Sequence, residues 1–573
     1  MLKLKHFGKV AQTTAFFGVL TAIAVSFQNC GGPAGLDLSS GGLVESSSTN
    51  LVEVSARLFD PAVPEECIQV GAGATIPTLK WQWLPTAQYL NFDQVMSAPV
   101  VGDINGDGKP EVVATYFSVR EQDRFGDAVG TTYTANGVIR IINGSTGRDL
   151  MAMGAANLAP MGSTTPLLVD LDSDGTMEIV YQHYTGTKIV ALNSNGTLRW
   201  TFPVPETIFC MDGLSAYDLD KNGRPEIITS NYTIEEDATR QPFKKVALQG
   251  QTGANNCKAL VLATKNDQSD LKILTFAGIF NLNGTVSSPL NTTNLGLVAI
   301  GAGDVRPDVQ GNEVVRIAQF PGTGSALEII NASTGALLST TSLDSLSVRR
   351  CPSNTVGGGP LTIGNFDDDP STMEVAVATG QNLMIFNGHG QLLAASETQD
   401  CSSLQTGMSS FDFNGDGKPE LLYGDEEYFR IYSYRPGKLL EIFKIVNPTG
   451  TLLEYPVVAD IDGNGTAELL VAGNNYAVSS FYKDPGEAGD VEAAKRVTGI
   501  RAFTAQINQA WMKTRPIWNQ HYYQPSLVSD RGVSLDARTF ANSAIAKGLR
   551  INQQLSLAPP TCVKKTDVTK GVR

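Results

Sequence analysis

The sequence predicts an all-β chain closed radially as a seven-bladed β-propeller, on three observations. A nine-residue acidic loop recurs seven times, short β-branched apolar segments flank each copy, and a second pattern of strand, Asn/Gly turn and strand follows several of them. Each unit thus supplies about four strands, the content of one blade. Such units cannot bury their faces singly and must stack.

Composition sets the frame for this expectation. The 573 residues are 42% hydrophobic and only 17% charged, against about 25% in ordinary domains. Acids outnumber Lys and Arg by 57 to 43, a net charge of −14, which argues against a nucleic-acid binder or a basic membrane-surface protein. With 57 Gly and 28 Pro the chain is rich in turn formers, and the apolar content is ample for a large core.

The clearest loop runs Asp103-Ile104-Asn105-Gly106-Asp107-Gly108-Lys109-Pro110-Glu111. Four close copies begin at Asp170, Asp218, Asp412 and Asp460. Two looser ones run from Asp304 through Asp308 to Glu313, and from Asn365 through Asp367 and Asp369 to Glu374, each with one extra residue before the final acid. The starts are 67, 48, 86, 61, 47 and 48 residues apart, consistent with a unit of about 48 residues carrying insertions. Oxygen side chains at positions 1, 3 and 5, a carbonyl at 7 and an acid at 9 form the hard-oxygen set that Ca²⁺ prefers. An EF-hand starts alike but places its Glu at position 12 between helices, whereas these flanks read as strands. The alternative is a plain Asp/Asn/Gly turn. Five registered copies weigh against it.

The repeats resemble the FG-GAP (VCBS-type) repeats of the integrin α-subunit propeller and of many secreted bacterial proteins, over roughly residues 95 to 480. That resemblance implies calcium ligands at Asp103, Asn105, Asp107 and Glu111; at Asp170, Asp172, Asp174 and Glu178; and at Asp218, Asp220, Asn222 and Glu226. It implies two further sets, Asp412, Asn414, Asp416 and Glu420, and Asp460, Asp462, Asn464 and Glu468. The loops at Asp304 and Asn365 depart from the pattern, so no ligand set is carried onto them.

Residues 1–29 read as an export signal, with Lys3, Lys5 and Lys9 ahead of an apolar run from Ala15 to Phe27. The segment ending Asn29-Cys30-Gly31-Gly32 resembles a bacterial lipoprotein signal, although Phe27 and Gln28 stand where that signal has small residues. The resemblance implies lipidation of Cys30 and, through Gly31, an outer-membrane address. An ordinary secretion signal is the alternative. Removal of residues 1–29 takes away three Lys and leaves a mature charge of −17. Residues 30–75, rich in Gly and Ser, read as a tether, residues 76–500 as the propeller and 501–573 as a Trp-rich closure segment, with Leu79 to Trp83 available to complete the last blade. In an oxidising compartment the six remaining cysteines allow up to three disulfides. The pairings expected are Cys210 with Cys257, Cys351 with Cys401 and Cys67 with Cys562.

Catalytic signatures are scarce. There are four histidines, His6, His183, His389 and His521, and no G-x-S-x-G elbow, HExxH helix, phosphate loop or CxxC. The cluster from Trp511 to Tyr523 admits two readings: a ligand or catalytic group around Arg515 and His521, or a packing plug. The expectation is a non-enzymatic, lipid-anchored, calcium-binding module for a protein or glycan at the cell envelope. The alternatives are a lyase-like polysaccharide enzyme and a scaffold of an envelope complex. Two insertions, Ser118 to Asn136 and Thr233 to Asn294, are natural places for recognition.

Overall fold

The computed structural model describes residues 67–68, 76–530, 532, 548–552 and 563–564, apart from residues 87, 124–134, 205–209, 251–256, 267–268, 291–295, 321–323, 347–356, 368, 370, 380–381, 401–402, 405, 451–452, 477–492 and 507–508. The signal segment, Cys30, Cys351, Cys401 and Cys562 lie outside the described residues.

Among the described residues eight four-stranded antiparallel units follow one another, not the seven expected. Blade 1 comprises Val100–Gly102, Glu111–Ser118, Val138–Asn143 and Asp149–Met153, with Phe92–Gln94 added beside its second strand. Blades 2 and 3 begin at Leu167–Val169 and Ser215–Tyr217 and end at Leu198–Pro203 and Pro242–Ala247. Blade 4 spans Ala259–Ala263 to Val286–Pro289, blade 5 Gly296–Gly303 to Leu337–Ser342, and blade 6 Thr362–Gly364 to Leu392–Glu397. Blade 7 runs from Met408–Phe411 to Lys438–Val446. Blade 8 takes Val457–Ala459, Glu468–Gly473 and Gly499–Ala505 from one end of the chain and Pro77–Gln82 from the other. The uncounted unit is blade 4. It occupies the 86-residue interval that looked like an insertion, and its first loop, Thr264 to Asp270, runs into Leu271 with no terminal Glu.

Burial explains the strand patterns. Second strands such as Glu111–Ser118 and Glu374–Thr379 are buried at every position, because both faces pack against neighbouring blades, so they read as continuous apolar runs. Outer strands such as Leu198–Pro203 mix buried and exposed positions. In every outer strand the pairing slips by one residue, a bulge. The skipped residues are Leu150, Arg199, Lys245 and Ser287 in blades 1 to 4 and Leu338, Leu393, Ile442 and Lys80 in blades 5 to 8.

Ring closure rests on two tryptophans of the N-terminal strand region. Trp81 Nε1 donates to Gly144 O at 2.7 Å and Trp83 Nε1 to Asp149 Oδ1 at 2.7 Å, joining blade 8 to blade 1. Gly147, at φ +71°, lies so close that a Cβ there would meet the Trp81 ring at 2.6 Å. A separate two-residue ladder pairs Cys67 with Lys564 and Ile68 with Val563, bringing the two ends of the described chain side by side.

A propeller leaves the inner edge of each first strand without a ladder partner, and unpaired buried backbone groups are costly. Here the C-terminal segment supplies the partners. Trp518 exchanges both backbone bonds with Val101, at 2.9 and 3.0 Å, and Asn519 O accepts from Leu168 N. Gln520 Oε1 accepts from Ala216 N, and Gln524 Nε2 donates to Val261 O. Leu549, Arg550 and Arg515 bond through their backbones to Ile363, Ser410 and Asp460. The segment therefore forms an axial plug tied to blades 1, 2, 3, 4, 6, 7 and 8.

Candidate metal centres

Each motif loop joins the first and second strands of its blade, and its shape follows from its own side chains. In blade 1, Asp103 Oδ1 accepts from Gly106 N and Asp107 N at 2.8 and 3.1 Å, while Oδ2 accepts from Gly108 N at 2.8 Å. Gly108 sits at φ +82°, the left-handed conformation that favours glycine at position 6. The final Glu has a role that the motif alone did not reveal. One carboxylate oxygen accepts the N–H of position 2: Ile104, Leu171, Leu219, Phe413 and Ile461 in the five regular loops, and Val305 and Phe366 in the two looser ones. This acid therefore caps the loop through its own hydrogen bond.

In three loops the acids converge. Ligand atoms of Asp170, Asp172 and Glu178, of Asp218, Asp220 and Glu226, and of Asp460, Asp462 and Glu468 lie within 4.8 Å of one another, so these clusters can hold a metal ion. In each, a basic side chain of the chain itself sits against the acids. Arg199 places Nη2 2.7 Å from Asp172 Oδ2 and Nη1 2.7 Å from Glu178 Oε1. Lys245 Nζ is 2.6 Å from Asp220 Oδ2 and also bonds Glu226 and Glu235. Lys80 Nζ lies 2.5 Å from Asp462 Oδ2 and 3.0 Å from Glu468 Oε1. All three are the bulge residues of their outer strands.

The loops of blades 1 and 7 are built differently. Position 3 is Asn105 or Asn414, and its amide reaches the final Glu directly, at 3.4 Å to Glu111 Oε1 and 3.1 Å to Glu420 Oε1. Their bulge residues, Leu150 and Ile442, bring no charge. Among the described residues no Lys or Arg is ion-paired to Asp107, Glu111, Asp416 or Glu420. These two loops, with Asp103, Asn105, Asp107 and Glu111 or Asp412, Asn414, Asp416 and Glu420, are not among the groups whose acidic atoms converge within 4.8 Å, though they keep the oxygen-donor types a hard cation takes.

Burial raises the terminal acids throughout. It pushes Glu111 up to about 7, Glu178 and Glu468 up to about 8, and Glu420 well above the usual carboxylate range. In the looser loops, Asp308 turns outward to Arg306, 2.7 Å away, and Glu313 is pushed up to about 8 by burial.

The aromatic cluster is enclosed. His521 and Tyr523 are fully buried, Tyr522 is 2% exposed and Arg515 only 4%. Arg515 is held by Asp530 Oδ1 at 2.7 Å and donates to the carbonyls of Pro525 and Val528. Burial, with Arg550 and Lys258 nearby, pulls the His521 imidazole well below its usual range and keeps it neutral. His183 is also structural, with Nδ1 at 2.8 Å from Thr185 Oγ1 and Nε2 at 3.0 Å from Ala156 O. Of the expected disulfides, Cys210 and Cys257 are bonded, with Cα atoms 4.9 Å apart. The other two pairings involve residues outside the description.

Two stretches, residues 170–229 and 412–471, match the FG-GAP-like repeat family. Together with the blade arrangement this makes the chain an FG-GAP repeat β-propeller protein. No curated protein matches it in sequence. Among solved structures, the V. cholerae biofilm matrix protein Bap1 is similar in fold, at 16% identity and TM-score 0.64, covering 86% of this chain and all of that one. Rhamnogalacturonan lyase YesW is similar at 15% identity and TM-score 0.51, covering 88% of this chain and 85% of its own. A Bacillus licheniformis rhamnogalacturonan lyase gives 14% and 0.50, covering 88% and 84%. Among the described residues no helix is long and apolar enough to cross a membrane.

Proposed function

We propose that this propeller is a calcium-stiffened adhesion or interaction module, held at the outer membrane by a lipid on Cys30 and directed at a protein or glycan, and that it is not an enzyme. The observation that carries the reading is the enclosure of Arg515, His521 and Tyr522 in the axial plug. A polysaccharide lyase needs its acid–base groups open to substrate, and the cluster that most resembled such groups in the sequence is spent on holding blades together. The fold shared with a biofilm matrix protein over that protein's whole length adds support. Calcium belongs to this reading as the ion for the acidic loops. It would tie the first two strands of a blade together at their connection.

The lyase reading draws on the fold shared with the rhamnogalacturonan lyases. One experiment separates the two. The full chain carrying Cys30→Ser is incubated with immobilised neutral and acidic polysaccharides, rhamnogalacturonan included, in calcium, and the supernatant is followed for the ultraviolet absorbance of unsaturated sugar ends. Retention without new absorbance supports the module. Absorbance that grows with time overturns it in favour of the lyase.

A further inference from the structure

We propose that the residue on the outer-strand bulge decides which loops accept calcium: blades 1 and 7 take the ion, whereas in blades 2, 3 and 8 the chain's own Arg199, Lys245 and Lys80 stand in its place. The inference rests on the calcium reading above and narrows it, since five loops share the motif and the donor sets are not equivalent.

The argument starts from the oxygens. In blade 8 both oxygens of Asp460 accept backbone N–H groups, from Gly463 and Asn464 on one and Gly465 on the other. Asp462 Oδ1 accepts from Asn464 N, and Glu468 Oε2 from Ile461 N. The remaining oxygens, Asp462 Oδ2 and Glu468 Oε1, both point at Lys80 Nζ. Positions 3 and 9 are the ligands an ion would need, and the ammonium already lies between them. Blade 2 repeats the arrangement with a guanidinium and blade 3 with Lys245.

The placement is systematic. Three blades, two of them consecutive and the third at the seam of the ring, present a cation from the same bulge position, where the extra residue of the strand swings its side chain out of the ladder. Position 3 changes in step: it is Asp172, Asp220 or Asp462 wherever the bulge carries a cation, and Asn105 or Asn414 where the bulge is Leu150 or Ile442. Within the five regular loops an acid at position 3 has a basic side chain of the chain against it and an amide does not; the looser loop of blade 6, with Asp367 at position 3 and Leu393 on its bulge, stands outside this rule. A divalent ion entering blade 8 would have to displace Lys80, whose side chain is only 5% exposed, from both carboxylates and leave its ammonium without them, which opposes exchange. The tethered cation is also always present, whatever the concentration of free calcium.

Calcium binding to the full chain carrying Cys30→Ser, counted by equilibrium dialysis and elemental analysis, tests this. The Asp107→Asn and Asp416→Asn variants are each expected to lose one ion, and Asp462→Asn none. Lys80→Met is expected to gain one ion at blade 8. Loss of an ion from Asp462→Asn, or no gain in Lys80→Met, overturns the inference while leaving calcium binding intact. Should Lys80→Met fail to fold, Asn105→Asp combined with Leu150→Lys transplants the blade 8 arrangement into blade 1. That variant is expected to lose one ion, and retention of the ion overturns the inference. No calcium on the parent chain or on any variant overturns the calcium reading itself, an outcome distinct from the others.

Discussion

Blade 8 and blade 1 stand side by side, share the same nine-residue loop, and neutralise it by different means. In blade 8 a lysine from the closing strand bonds two carboxylates, while blade 1 bonds its final Glu through an amide and has an apolar bulge. The comparison teaches that a repeat motif specifies a loop shape more strictly than it specifies a ligand. The backbone bonds accepted by positions 1 and 9 are the same in both. What occupies the space between positions 3 and 9 is decided by a residue on another strand.

The strongest way to break the comparison is to remove the internal cation. Lys80→Ala in chelator leaves Asp462 and Glu468 buried without their partner, and breaking a buried pair in this way costs about 3–5 kcal/mol. Chemical denaturation should show that loss, and added calcium should recover part of it; a variant as stable as the parent would dissolve the distinction between the blades. The next effect is chelation of the parent chain. An ion present at about 100 times its Kd contributes about 2.7 kcal/mol per site, so removing calcium should lower Tm. Hydrogen exchange should rise mainly in the loops at Asp103 and Asp412, and a uniform rise over all five loops would erase the contrast.

A smaller effect comes from pH, at the looser loop of blade 5, where Arg306 pairs with Asp308 and, among the described residues, no basic side chain is ion-paired to Glu313. Glu313 is fully buried, and its folded value of about 8 lies above the ordinary 4.5. The folded state thus binds more protons than the unfolded chain across that interval. Its contribution is full below about 4.5 and fades as pH rises through about 8. Glu313→Gln is expected to flatten the decline of stability between these values in chelator; an unchanged slope would place the proton elsewhere. The smallest effect belongs to Arg306→Ala. Its partner Asp308 is 58% exposed, and surface pairs are worth about 0–1 kcal/mol, so Tm should barely move.

The legible part of this molecule was the part that repeats locally. Loop, flanking strands and Asn/Gly turn lie within a few tens of residues, and the closing strand at Leu79 to Trp83 stood out as an apolar segment ahead of the first motif. Blade 4 escaped because recognition leaned on the loop rather than on the strands, and Thr264 to Asp270 has no final Glu to announce a blade. The internal cations escaped for another reason. Lys80 meets Asp462 across 382 residues of sequence, and its bulge shows only when two strands are paired. A signal was nonetheless present: Arg199 and Lys245 each follow an Asp at position 3 at a similar interval, in the outer strand of the same unit. The packing-plug reading of the Trp511 to Tyr523 cluster holds, with His521 enclosed, but the plug's partners were not readable, since they are the inner strands of seven separate blades.

The seam between the two ends has a temporal consequence. Pro77–Gln82 waits for Gly499–Ala505, and the inner strands wait for residues 515–550, so no early product of synthesis contains a finished ring. Contacts between such distant segments are slow to form, and partly folded intermediates expose strand edges meanwhile. The ring is therefore closed only where a strand from the start of the described chain meets one from its far end, so a cut near either end would open the same seam.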